Sequence, residues 1–316
     1  KAYGHVQLKT PHIDQLAVDG VKLTDCYSSS SCCSPSRAAI LTGRTPYRNG
    51  GYHWINTGRE LHLKAEEITL PQLLRKNGYQ TAHFGKWHLG DNYPFRPQDR
   101  GFEEVLVHGG GGIGNTSDYW ANDYFDDTYY HNGEPKQYQG YCTDVWFDEA
   151  IKFIEQKKDE RFFVYLSTNA PHLPFVVPEK YKKMYAGIEP CLLEFYGMIT
   201  NIDDNIGRLR KKLKELKLED NTIFIFITDN GSSRGAKTYN AGMRGTKGSE
   251  WDGGHRVPFF MYWPNGDFNS GRDIGALTAG MDLLPTLMEL CNLKETKGLK
   301  FDGRSLVPLI TVSYTH

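Results

Sequence analysis

Several features that would place a protein at a glance are missing from this sequence. Charge of one sign is absent: 37 Lys and Arg stand against 38 Asp and Glu, a net charge of −1. No overall field therefore draws the chain to nucleic acid or to an anionic membrane surface. No apolar run is long enough to span a bilayer. The six cysteines, at 26, 32, 33, 142, 191 and 291, form no CxxC pair and no zinc-ligand spacing. Spacing alone assigns no disulfide among them. No secretory segment opens the chain, so targeting is not read directly. What remains is an ordinary globular composition, 39% hydrophobic and 24% charged, over 316 residues. That is enough for one large α/β domain or two small ones, with material for a core.

Against this background one stretch stands out, Cys33-Ser34-Pro35-Ser36-Arg37-Ala38-Ala39-Ile40-Leu41-Thr42-Gly43-Arg44. Ser34 is a candidate helix cap, Pro35 suits a first turn, and Gly43 suits the helix end. Cys33 then lies just before a helix N-terminus, where free N–H groups and the dipole favour an anion, with Arg37 one turn along. The residues six positions beyond Cys26, Cys32 and Cys33 are Cys32, Ala38 and Ala39. A cysteine-phosphatase loop, which needs arginine there, is excluded.

The rest reads as alternating helices and strands. A helix is expected at Thr10–Ala17, a strand at Gly20–Thr24, a helix at Leu70–Asn77 closed by Gly78, and a strand at Tyr79–Phe84. Gly85-Lys86 is not a P-loop, since Gln80 and Trp87 replace the required Gly and Ser/Thr. Residues 91–140, with glycine at 109–112, show no sustained period and are expected to form an irregular excursion. The glycine run reads as a flexible loop. Trp120, Tyr124, Tyr129 and Tyr130 suit either stacking on a sugar or packing of that loop. Asn115-Thr116-Ser117 is a formal glycosylation acceptor. An amphipathic helix follows at Thr143–Lys157 and a continuously apolar, buried strand at Phe162–Leu166, which leads to His172 just beyond its carboxyl end. Apolar residues at 192, 196, 199, 202, 206, 209, 213 and 216 mark a long helix, in which Asn201–Asn205 read as structural polar residues. Thr222–Ile227 is the clearest buried strand. It ends in Asp229-Asn230-Gly231, where a carboxylate and an amide oxygen suit a hard cation. Strand returns at Phe259–Trp263 and helix at Met281–Leu290. The succession predicts an α/β fold, a mostly parallel sheet sandwiched by helices.

Five segments together resemble the type I, formylglycine-dependent sulfatases of the alkaline phosphatase superfamily. They are the C-x-P-S-R…L-T-G-R stretch at 33–44, the run from Gly78 to Gly90 with Gly85-Lys86-Trp87-His88, the Ala170-Pro171-His172 segment, Thr228-Asp229-Asn230-Gly231, and Met243–Lys247 with Trp251–Pro258. Asp252 stands where the family more often has Glu. The resemblance runs through residues 8–308 and implies one catalytic core domain over 1–316.

It implies that Cys33 is oxidised to formylglycine by a formylglycine-generating enzyme, and that its hydrate is the nucleophile. Arg37 and His88 would orient and activate it, Lys86 and Lys247 would hold sulfate oxygens, and His172 would assist the departing alcohol. Asp229, Asn230 and residue 33 would bind Ca²⁺, with Mg²⁺ as the alternative ion. The implied substrate is a sulfated small molecule or glycan, and the implied setting is secreted, periplasmic or lysosomal. Two alternatives stay open: a phosphate or phosphonate monoester hydrolase of the same superfamily, and a non-catalytic binder of sulfated sugars. The family's first strand, ending in two adjacent metal-binding aspartates, has no counterpart before Cys33, and its smaller C-terminal subdomain is not recognised. This 316-residue form alone is therefore expected to bind its cation weakly and to turn over little ester.

Overall fold

Local signals place most elements. Pro11 opens the first helix in the N1 position, where its missing N–H costs nothing. Gln72 reaches back to the Thr69 N–H at 2.9 Å and closes the start of the helix at 70–76. Gly43, at φ +66°, ends the helix that carries Cys33 and donates its N–H to the Ala39 carbonyl. The computed structural model describes residues 1–51, 53–55, 62–269, 271–294 and 298–311. The tail from 312, which resembles nothing in the sequence motifs, lies outside them.

In chain order the elements are α1 (Pro11–Asp19), β1 (Val21–Leu23), β2 (Cys26–Tyr27), α2 (Cys33–Thr42), α3 (Pro46–Asn49), α4 (Leu70–Lys76), β3 (Gln80–Lys86), β4 (Glu104–His108), β5 (Thr128–His131), β6 (Glu134–Gln137), α5 (Cys142–Gln156), β7 (Phe162–Ser167), α6 (Glu179–Lys183), α7 (Pro190–Glu215), β8 (Phe224–Ile227), α8 (Asp252–His255), β9 (Phe259–Tyr262), β10 (Arg272–Ile274), β11 (Thr278–Ala279), α9 (Leu283–Leu290) and α10 (Val307–Thr311). The α/β class is as expected, with helices packed on both sides of the strands. One core cluster joins Leu16 of α1, Trp146 of α5 and Met198 of α7 to Phe84 of β3. The other joins Leu73 of α4, Ile40 of α2 and Leu284 of α9 to Val21 and Met261.

The sheet departs from the expected mostly parallel one. Strands order as β6-β5-β4-β3-β7 in one sheet and β10-β1-β9-β8 in another, with β11-β2 as a short pair. β3 runs parallel to β4 and β7, and β1 to β10. However, β5, β6 and β9 all pair antiparallel. Part of this comes from the 91–140 region, which is not irregular throughout. It holds β4 and the hairpin β5–β6, whose strands of four or five residues are too short to show a period in sequence.

The second departure concerns β7 and β8. Both read as buried from their continuous apolar runs, yet every residue in each is only half-buried. β3, with a neighbour on each side, is buried along nearly its whole length. The reason is position. β7 and β8 each form one edge of their sheet, and each lacks a partner on one side among the described residues. Their side chains share the same two layers: Val164, Leu166 and Phe226 pack on the first cluster, and Phe163 and Ile225 on the second. The two sheets thus form one interrupted layer, with the interruption between β7 and β8.

Candidate active site

The site lies at the carboxyl ends of β3, β7 and β8 and at the start of α2, where open α/β sheets gather their ligands. α2 begins at Cys33 itself, and Cys32 occupies the cap position. Ser34 does not cap the helix. Its hydroxyl accepts the Ile55 N–H at 3.1 Å and ties the helix start to the neighbouring loop.

Arg37, one turn along α2, is buried and spans the sheet ends. Its Nε donates to Asp229 Oδ2 at 2.8 Å, just past β8, and a terminal nitrogen donates to the Lys86 carbonyl at 2.7 Å, at the end of β3. Lys247 arrives on the loop between β8 and α8, which is fixed by Lys247 N–H to the Ser232 carbonyl and Gly248 N–H to the Ser31 carbonyl. Its ammonium donates to Cys33 Sγ at 3.1 Å. Three cations, Arg37, Lys86 and Lys247, therefore surround the Cys33 sulfur with one carboxylate among them. Burial pushes the Asp229 carboxyl up, but these three charges outweigh it and hold it at about 2. Burial lowers the Lys86 ammonium, and the Cys33 position opposes that shift. A pocket of this polarity accepts an anion.

Two histidines complete the group, and each is locked in one tautomer by a backbone carbonyl. His88 sits at φ +60°, a left-handed conformation that costs a non-glycine residue about 1 kcal/mol. Its Nε2 donates to the Ile55 carbonyl at 2.8 Å, and its buried Nδ1 has no partner among the described residues. Burial first, then Lys86, depress it to about 2, so the ring is neutral. His172 donates from Nδ1 to the Leu173 carbonyl at 2.8 Å, so Nε2 carries the lone pair. Burial, Lys86 and Lys247 lower it to about 4. Tyr124 donates to the His172 carbonyl at 3.5 Å and backs the loop.

Whether a hard cation suits this donor set follows from the unpaired oxygens. Among the described residues Asn230 Oδ1 is buried without a hydrogen-bond partner, and Arg37 engages only one oxygen of Asp229. Both are hard donors of the right type, so the residues fit Ca²⁺ or Mg²⁺, although they supply two of the six or more oxygens such an ion takes. A second acidic group, His12, Asp203 and Asp204, lies between α1 and α7 with ligand atoms within 4.8 Å. Asp203 there accepts the His12 and Ile13 N–H groups at the start of α1, and Asp204 accepts the Tyr181 hydroxyl. These are structural uses, as the sequence reading had them.

All eight residues singled out from the sequence converge on this site. The sequence missed two further buried histidines, His83 within β3 and His108 at the end of β4, beside Lys86 in register. Each donates from Nδ1 to a carbonyl and leaves Nε2 without a partner among the described residues. The glycines at 109–112, which read as a flexible loop, lie against the site as one of its walls. A Cβ on Gly111 would lie 2.8 Å from the His88 ring. Of the four aromatics left open, Tyr124 and Tyr129 are core, whereas Trp120 is 92% exposed.

Removing Arg37 tests the electrostatic frame. Arg37→Ala leaves the Asp229 carboxylate without its partner and unties α2 from β3 and β8, so stability should fall by about 3 kcal/mol in urea unfolding. A loss below about 1 kcal/mol would show that the ion pair does not hold these elements together.

A cluster of cations around a cysteine at a helix start, at the carboxyl end of an α/β sheet, defines a site for an anion. The family profile described as Sulfatase matches residues 1–293, and the chain belongs to the sulfatase family. It is 32% identical to an uncharacterized sulfatase, YdeN, of Escherichia coli (strain K12), over 98% of this chain and 58% of that protein. It is equally identical to an N-acetylgalactosamine-6-sulfatase of Homo sapiens, over 98% of this chain and 62% of the relative. The crystal structure of Ps i-CgsB in complex with k-i-k-neocarrahexaose superposes with a TM-score of 0.89 at 30% identity, covering 96% of this chain and 71% of that one. The chain spans about three fifths of the length of the curated relatives it matches.

Proposed function

We propose that this chain carries the catalytic core of a sulfatase that hydrolyses sulfate monoesters of saccharides. The observation that carries the reading is the convergence of Arg37, Lys86 and Lys247 on the Cys33 sulfur, whose position stands for the oxygens of a formylglycine hydrate. A sulfate monoester spreads negative charge over its nonbridging oxygens. Lys86 and Lys247 meet that charge, and Arg37 fixes residue 33 against the sheet ends. After oxidation by a formylglycine-generating enzyme, residue 33 supplies a hydrated aldehyde, one hydroxyl to bond sulfur and a second whose proton loss re-forms the aldehyde and expels sulfate. Asp229, Asn230 and residue 33 would hold a divalent cation, which would supply further charge to the sulfate oxygens.

The histidines divide the proton handling. His88, with its unpartnered Nδ1, accepts a hydrogen bond from residue 33. His172 faces the other way. As the ester sulfur–oxygen bond breaks, the alcohol oxygen takes up a proton, and Nε2 of His172 is the atom placed to hold it. In the free protein burial first, then Lys86 and Lys247, keep His172 neutral; an anion between the two lysines cancels their share of that shift and favours a proton on Nε2.

Saccharide sulfates are the proposed class because the relatives are named for N-acetylgalactosamine-6-sulfate and ulvan, and a structural relative holds a neocarrahexaose. A secreted, periplasmic or lysosomal setting follows by the same family reasoning. Turnover of N-acetylgalactosamine 6-sulfate and 4-nitrophenyl sulfate should exceed that of 4-nitrophenyl phosphate. The reverse order would assign the site to phosphate esters. Calcium binding should be weak in this chain alone, with calorimetry giving millimolar rather than micromolar dissociation, because three cations face one carboxylate. Micromolar binding would mean that Asp229 and Asn230 suffice.

A further inference from the structure

We propose that Asn115 is a specificity-determining residue for the leaving group, reading hydroxyls of the saccharide that carries the sulfate. The inference rests on the sulfatase reading above and takes it to a side chain outside the five family segments. It begins with the order of the 109–118 segment. One oxygen of Asp118 accepts the Gly109 N–H at 3.0 Å and the other accepts the Gly114 N–H at 2.9 Å, while Asp91 accepts the Gly110 N–H at 3.1 Å. A side chain at 109 would collide with the Ser117 carbonyl, and one at 111 would meet the His88 ring at 2.8 Å. The backbone therefore lies flat against His88, where only glycine fits, and forms a fixed wall.

That wall delivers Asn115 to the mouth on the His172 side. A single point, the place a Cβ of Gly112 would take, lies 3.0 Å from Asn115 Nδ2 and 3.6 Å from His172 Nδ1. The amide and the imidazole thus flank one position at the edge of the site. Asn115 is exposed, and its amide has no hydrogen-bond partner among the described residues. It offers both a donor and an acceptor, the pair that suits adjacent sugar hydroxyls. With the departing oxygen at Nε2 of His172, the ring attached to it would extend across the imidazole toward the Nδ1 edge, the side on which Asn115 lies. A methyl or simple aryl group gives the amide nothing to bind. A saccharide does.

Calorimetry on the full chain, unmodified at Cys33 so that no ester turns over, tests this with three probes: inorganic sulfate, methyl sulfate, and a panel of N-acetylgalactosamine 6-sulfate, galactose 6-sulfate and N-acetylglucosamine 6-sulfate. The wild type should bind at least one saccharide more tightly than methyl sulfate. Asn115→Ala should weaken that saccharide about tenfold, the scale of one or two hydrogen bonds, and leave inorganic and methyl sulfate unchanged. An equal loss for methyl sulfate would make Asn115 a support of the anion pocket and overturn the proposal. So would an unchanged saccharide affinity, or a wild type that prefers methyl sulfate to every sugar. If the wild type binds no sulfate, or Lys247→Ala leaves sulfate binding intact, the sulfatase reading itself fails, a result distinct from all of these.

Discussion

Cys33→Ala is expected to lower sulfate release by at least about 10³-fold while leaving sulfate binding nearly intact. The two effects separate because different atoms produce them. Anion affinity comes from Lys86, Lys247 and Arg37, none of which needs the residue-33 side chain for its place. Arg37 is held by Asp229 and the Lys86 carbonyl, and the Lys247 loop by Ser31 and Ser232. Turnover needs a nucleophile that can also expel sulfate, and alanine offers neither. Sulfate affinity falling in step with the rate would mean that residue 33 builds the pocket rather than acting in it. Cys32→Ala should spare both, since Pro and Arg stand at the required spacing only from Cys33.

The second large effect is acid unfolding. His83 and His108 are held at about 3, His88 at about 2 and His172 at about 4, in each case chiefly by burial. The unfolded chain takes up these protons near 6.5, so between about 6.5 and 4 it binds more protons than the folded one and stability falls as pH falls. Asp229, held at about 2, adds to the loss below about 4. Each pKa unit corresponds to about 1.4 kcal/mol, so the protons that four such histidines take up on unfolding between pH 6.5 and 4 cost stability of the same order as the whole reserve of an ordinary domain, about 5–15 kcal/mol. The chain should unfold cooperatively before reaching pH 4, as followed by circular dichroism, with maximal stability above pH 6.5. His83→Phe and His108→Phe should shift that midpoint to lower pH. A fold that persists at pH 3 would show that these imidazoles are not kept neutral.

The eight site residues were legible because each sits in a short contiguous motif with a local cause: a helix start at Cys33, a strand end at Lys86, a turn at Asp229. Their convergence follows from strands that stop at the same end of a layer. What the sequence did not reveal is non-local. Phe162–Ser167 and Phe224–Ile227 look fully buried as strings of apolar residues, and only pairing shows that each is an edge. β4 to β6 escaped because strands this short carry no period. His108 could have been found as a polar residue ending the apolar run Val105-Leu106-Val107. The glycines at 109–112 read as freedom, although close approach to His88 and Ser117 requires them. Asn115 had no signal beyond a formal glycosylation triplet.

The central claim is that residue 33, as an aldehyde, is where sulfate esters are cleaved. Its most direct test is to produce the chain with graded amounts of a formylglycine-generating enzyme, to measure the aldehyde fraction at position 33 by peptide mass spectrometry, and to measure inorganic sulfate released from N-acetylgalactosamine 6-sulfate and 4-nitrophenyl sulfate. The account predicts a rate, however small, that rises in proportion to the aldehyde fraction and is lost in Cys33→Ala. A rate that is independent of that fraction, or that survives the substitution, would contradict it.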